Sequence, residues 1–242
     1  MAFLVLVPAI ACDDTLAAPA ASGDDILVTV SGTVKLNGEP PPIKVNKAIG
    51  NDPACAALHA APPPLETLLV APDGGVRWAF VWVKSGLENQ KFPAPQAGPF
   101  IDQKGCNYSP RVVGIQVGQP VNFRNMDPLL HNVHGLPWIN KPWNVGQLQA
   151  TVHTVRPAQP ESNPPITVKC DVHPWMSAFI FVLEHPYFAV TDEAGKFSIP
   201  NLPAGKYTLG VWHEGLKTTD GKNEVEIVVK ENKTVDFVMM KK

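Results

Sequence analysis

Charge is scarce in this chain. Asp, Glu, Lys and Arg make up 17% of its 242 residues, the formal net charge is −2, and no basic run occurs. A nucleic-acid-binding surface needs clustered Lys and Arg against the phosphates, so that class of partner is excluded. Lys and Arg are missing altogether before Lys35. Long apolar runs are missing too: the stretch Met1 to Ala11 is eleven residues, against about 20 for a helix that crosses a bilayer. Long helices are disfavoured by 26 Pro and 18 Gly, a Pro share about double the usual 5%. Such a composition suits short strands joined by turns. Cysteine is sparse as well, with only Cys12, Cys55, Cys106 and Cys170.

What is there is concentrated in one loop. Cys170-Asp171-Val172-His173-Pro174-Trp175-Met176 places a thiol, an imidazole and a thioether within seven residues, and His131-Asn132-Val133-His134 offers a second imidazole upstream. Two His, one Cys and a weak axial Met are the donors of a blue-copper centre: soft sulfur suits Cu(I), and imidazole suits both oxidation states. Cys170 and His173 lie too close in sequence to meet at one point from a regular strand, so they belong in a turn. The flanks Ile166 to Lys169 and Ala178 to Leu183 are rich in β-formers, and Pro174 breaks the run between them. The duller reading is half of a structural zinc site, but closed zinc wants four strong Cys or His donors and Met176 is not one.

The stretch from Arg111 to Leu183 resembles a cupredoxin, most of all the amicyanin type, whose copper loop runs Cys, two residues, His, two residues, Met. Val117-Gly118-Gln119-Pro120-Val121-Asn122-Phe123 resembles the strands before the first ligand, and Asn125 to His134 resembles the ligand segment. The resemblance implies a Greek-key β-sandwich holding one copper ion, with His131 rather than His134 as the upstream ligand. It implies that Asn132 is the neighbour whose hydrogen bonds tie the two ligand loops together. It also implies a one-electron carrier or redox subunit with a protein redox partner, no small-molecule substrate and no catalysis. Pro174 and Trp175 then form an apolar patch around an exposed His173 edge where that partner docks, the plainer alternative being that Trp175 only covers the site. Two rival readings remain: a copper-delivery protein that uses the same residues but releases the metal to a partner, and a structural lipoprotein subunit that docks onto a cell-envelope complex through a second β-sandwich, with the cupredoxin only a scaffold. An oxidase or reductase would need further ligands, and His59, His153, His185 and His213 form no recognisable pair.

With Cys170 on the metal, Cys55 and Cys106 remain as a disulfide pair, which needs an oxidising compartment. The alternative is a second metal site from Cys55 and His59 on a short helix capped by Asp52. Cys12 follows an apolar stretch ending in small residues, and this resembles a bacterial lipoprotein signal whose Cys is lipidated. That resemblance implies a periplasmic protein held at the membrane by a lipid on Cys12. An ordinary cleaved signal would export it equally, although the positive segment of either is lacking here.

The fold class expected is all-β, with a second, smaller sandwich beside the first. Asp192-Glu193-Ala194-Gly195-Lys196-Phe197-Ser198-Ile199 and Leu202-Pro203-Ala204-Gly205-Lys206-Tyr207-Thr208-Leu209 look like a carboxypeptidase regulatory-like, transthyretin-like domain. The expected organisation is a signal-like segment 1–12, a tether 13–25, strands in 26–48 that complete the C-terminal sandwich, the copper domain 49–185 and the second sandwich 186–242. Residues 49–75 fit neither family pattern well. Residues 135–165 read as a long connection with one strand, 149–155.

Overall fold

The computed structural model describes residues 26–242; Cys12, the signal-like segment and the expected tether lie outside them. Among the described residues no helix is long and apolar enough to cross a membrane. Nearly everything regular is strand, arranged as two β-sandwiches that share one aromatic seam.

The first sandwich pairs a five-stranded sheet with a four-stranded one. The five-stranded sheet runs Val112–Gln116, Ser177–Leu183, Glu161–Lys169, His131–Leu136 and Trp143–Gln147; the other runs Tyr108–Ser109, Phe100–Gln103, Val121–Asn125 and Val152–Val155. Alternation decides which side chains enter the core between them. In Ser177–Leu183, Ala178, Ile180 and Val182 join Val113, Ile115, Phe123 and Val168 inside, while Phe179, Phe181 and Leu183 face the other way. The 135–165 connection is more regular than expected: Trp143–Gln147 forms a hairpin with His131–Leu136, and the strand expected at 149–155 is Val152–Val155.

The second sandwich is built from both ends of the chain. Leu27–Leu36 lies between Lys196–Pro203, its antiparallel partner, and Phe237–Lys241, its parallel one. The opposing sheet runs Phe188–Val190, Phe80–Ser85, Gly205–Trp212 and Glu224–Val229. Val28, Val30, Val34, Leu209, Val211, Phe237 and Met239 share its core. Within residues 26–48 the ladder to the C-terminal strands ends at Leu36, and Val45 pairs instead with Pro64.

One boundary needs correction. Phe80–Ser85, inside the expected copper domain 49–185, hydrogen-bonds to Phe188–Val190 and Gly205–Trp212 and so belongs to the second sandwich. Its four leading residues are all buried because both of its faces are covered. Val81 and Val83 enter the second core, whereas Phe80 and Trp82 meet Phe181, Val112 and Leu183 of the first sandwich. Arg111 and Glu214 join the sandwiches electrostatically: Nε and Nη2 of Arg111 donate to the two carboxylate oxygens at 2.6 and 2.9 Å.

Candidate metal centre

The loop between the strands Glu161–Lys169 and Ser177–Leu183 is closed by its own backbone. Cys170 N–H donates to the Met176 carbonyl (3.3 Å), and Met176 N–H donates to the His173 carbonyl (2.9 Å). This tight turn sends the side chains of Cys170, His173 and Met176 into the protein, all of them buried. His131, at the start of its strand, is fully buried beside them.

Three donors converge. One ring nitrogen from each of His131 and His173 and the sulfur of Cys170 lie within 4.8 Å of one another. Nδ1 of His131 is 2.9 Å from Nδ1 of His173, and Cys170 Sγ is 3.7 Å from the same His173 atom. Each imidazole is held from behind. Nε2 of His131 donates to Asp127 Oδ2 at 3.0 Å, and Nε2 of His173 donates to Asp52 Oδ2 at 3.3 Å. With both Nε2 atoms turned to carboxylates, both Nδ1 atoms face the common point. Met176 shares the apolar cluster of Cys170.

Electrostatics in this pocket run one way. Burial pushes the Cys170 thiol up, but hydrogen bonding with His131 and with the backbone of Asn132, His173 and Val172 outweighs it and holds the thiol below its usual range. Burial opposes charge on His131, yet the hydrogen bonds to Asp127 and Cys170 raise its pKa to about 9. His173 is lowered, chiefly by burial, with Asp52 opposing that and His131 adding to it. The directions favour a proton on His131 in the 2.9 Å contact between the two Nδ1 atoms, with His173 accepting it and the thiol made easier to ionise.

Asn132 binds the strand that begins at His131 to the turn that begins at Cys170. Its Oδ1 accepts from Asp171 N–H at 2.6 Å, and its Nδ2 donates to Asn144 Oδ1 and Asp171 Oδ2 at 2.7 and 3.0 Å. Tyr108 reinforces the junction from inside, its hydroxyl donating to the Asn132 carbonyl at 2.5 Å. His134 stands outside the cluster and pairs with Asp171 at 2.8 Å.

Part of the segment 49–75, with the residues just before it, covers the centre. A 3-10 turn, Lys47–Asn51, leads into the short helix Pro53–Ala56, whose N-terminus is capped by Asp52 Oδ1 accepting from Ala54 and Cys55 N–H. Cys55 is disulfide-bonded to Cys106, with Cα atoms 5.7 Å apart. That bond removes Cys55 and His59 as a second metal site, and His59 Nε2 instead donates to the Gly105 carbonyl at 2.8 Å. Gly105 has φ +61°, and a Cβ there would lie 2.8 Å from the His59 ring, so glycine admits this contact. The disulfide sulfurs lie within 4.8 Å of a His173 ring nitrogen.

The cover changes the expected docking patch. The His173 edge is not exposed: the residue is 2% accessible. Pro174 is exposed, while Trp175 is half-buried, packs 5.2 Å from the His173 ring and donates its indole N–H to the Cys106 carbonyl at 3.0 Å. Asp127 carries no signal in the sequence although it lies in the ligand segment, because a carboxylate four residues before a His has no distinctive spacing in an irregular loop. Asp52 is legible there only as a helix cap.

The carboxypeptidase regulatory-like domain family matches residues 174–240. The match therefore begins within the turn Cys170–Met176 and takes in the strand Ser177–Leu183 before reaching the second sandwich. Comparison with curated protein sequences gives no match. Among solved structures the chain is similar to the copper-containing nitrite reductase of Thermus scotoductus SA-01, at 18% identity and TM-score 0.33, covering 42% of this chain and 25% of that one. It is similar to a purple cupredoxin from Nitrosopumilus maritimus at 22% identity and TM-score 0.27, covering 31% of this chain and 81% of that one. It is also similar to a Cu(I)-bound point mutant of amicyanin at 16% identity and TM-score 0.31, covering 42% of this chain and 97% of that one.

Proposed function

We propose that the chain holds one copper ion through His131, Cys170 and His173, with Met176 as the weak axial donor, and serves as a one-electron carrier or redox subunit. The observation that carries this reading is the convergence of two Nδ1 atoms and one thiolate-forming sulfur within 4.8 Å in a buried pocket. Two imidazoles, a thiolate and a thioether fit copper in both oxidation states, whereas structural zinc would leave Met176 without a role. Bound copper supplies a Cu(I)/Cu(II) couple.

The chain's own residues hold the donors still. Asp127 orients His131, the Asn132 to Asp171 hydrogen bonds fix the distance between the ligand segments, and Tyr108 braces the strand behind them. Such a shell limits rearrangement between oxidation states and tunes the metal. Burial of all four donors keeps water from the centre. With the His173 edge covered, a redox partner approaches through Trp175 and Pro174 instead.

An exported setting belongs to the same proposal. The Cys55–Cys106 disulfide favours an oxidising compartment such as the periplasm, and a lipid on Cys12 would hold the protein at a membrane.

The test is spectroscopic. Cu(II) added to the purified protein is expected to give an intense visible thiolate-to-copper band and a blue-copper paramagnetic resonance signal, both bleached by reduction and absent in Cys170→Ala. A colourless protein after copper addition sinks the proposal.

A further inference from the structure

The covering segment does more than exclude solvent. Asp52 divides its carboxylate between two tasks. Oδ1 caps the helix Pro53–Ala56 through Ala54 and Cys55, and Oδ2 is left to meet His173 Nε2 at 3.3 Å. The helix cannot drift, because Cys55 is bonded to Cys106, whose own N–H donates to Asp127 at 2.8 Å. The same disulfide therefore stands between the two carboxylates that hold the two imidazoles.

We infer that Asp52 is a positioning residue for the metal centre: it fixes His173 with the proton on Nε2 and the lone pair on Nδ1, and so favours the more highly charged state of a bound copper ion. This inference rests on the copper reading for its effect on potential, but not for its effect on the ring. An imidazole whose Nε2–H meets a carboxylate is a stronger donor at Nδ1, and a stronger donor stabilises Cu(II) more than Cu(I). Asp127 does the same for His131, so the centre is gripped symmetrically although the two acids lie far apart in sequence. Asp127 lies four residues before its own histidine, whereas the Asp52 arm comes from a distant segment whose Cys55 is bonded to Cys106.

Two substitutions separate positioning from capping. Asn and Ser are both good helix caps, so Asp52→Asn and Asp52→Ser keep the helix. Neither offers His173 a carboxylate: Asn presents an amide donor to a ring N–H, and Ser is too short to reach. In metal-free protein, where the His131 contact at Nδ1 already favours a proton on Nε2 of His173, the readout is that Nε2–H proton: its NMR signal is expected far downfield and slow to exchange with solvent in the wild type, and moved upfield and faster to exchange in both variants. With copper, Cu(II) affinity is expected to fall about tenfold with Cu(I) affinity unchanged, a rise of about 59 mV in reduction potential.

An unchanged Nε2–H signal in both variants overturns the inference. So does an equal loss of affinity for both oxidation states, which would mean that Asp52 only maintains the fold of the cover. A wild-type protein with no blue band refutes the copper reading instead, and the metal-free Nε2–H signal still decides the role of Asp52.

Discussion

Phe80 and Phe181 stack face to face across the junction of the two sandwiches, with ring centroids 3.8 Å apart and planes 10° from parallel. Both are fully buried, and Trp82, Phe188 and Trp212 surround them. Removing a ring here opens a cavity in both bodies at once. Phe181→Ala is expected to cost about 3–5 kcal/mol, measured by urea unfolding. A cost below about 1 kcal/mol would show that the sandwiches do not depend on this seam.

Arg111 and Glu214 tie the same junction by charge. Arg111 also donates through Nη1 to the Ser177 carbonyl at 3.1 Å and through Nη2 to Ser177 Oγ at 3.0 Å, next to Met176. Its side chain is 7% exposed, so Glu214→Ala would strip a buried guanidinium of its hydrogen-bonded carboxylate and leave it only the longer-range attraction of Glu66. The expected loss is about 2–4 kcal/mol, nearer the buried than the surface regime for ion pairs. A loss under about 0.5 kcal/mol would place the pair among exposed ones.

The Cys55–Cys106 disulfide closes a loop of sequence separation 51. Chain entropy assigns such a crosslink about 4 kcal/mol, so a Cys55→Ser, Cys106→Ser double variant is expected to melt well below the wild type. An unchanged melting temperature would mean that the covering segment is held by packing alone.

Acid should weaken the fold through a histidine outside the donor cluster. Burial first, then the nearby charges of Arg111 and Lys242, lowers the pKa of His213 to about 4, against about 6.5 unfolded. Between those values the unfolded chain binds a proton that the folded one does not, so stability falls as pH drops from about 6.5 towards 4. His213 is 1% exposed, and the full loss is roughly 3 kcal/mol. His213→Gln should flatten the stability profile over that window, as followed by urea unfolding at each pH. A variant as acid-sensitive as the wild type would refute the assignment.

Much of this architecture is legible in the sequence because periodicity is local. The alternation in Leu27–Leu36 and the Gly- and Pro-bearing turns after Val190 mark strands without knowledge of their partners. The spacing of Cys170, His173 and Met176 places a thiol, an imidazole and a thioether in one turn for the same reason. Phe80–Ser85 falls to the wrong body on sequence alone because a strand buried on both faces has no polar side to show which sheet claims it. Asp52 is hidden more deeply. Its contact with His173 spans 121 residues and depends on where a disulfide holds a single helical turn, which no local pattern encodes.

The parallel pairing of Leu27–Leu36 with Phe237–Lys241 has a mechanical consequence. The first strand enters from the N-terminal side and the second leaves towards the C-terminus, matched at Val34 with Phe237, Lys35 with Val238 and Leu36 with Met239. Tension applied between the two ends pulls these neighbours in opposite directions along their length, so their hydrogen bonds bear load together in shear instead of opening one by one. The donor cluster lies on neither strand, and a molecule stretched from its ends would carry the strain around that cluster rather than through it.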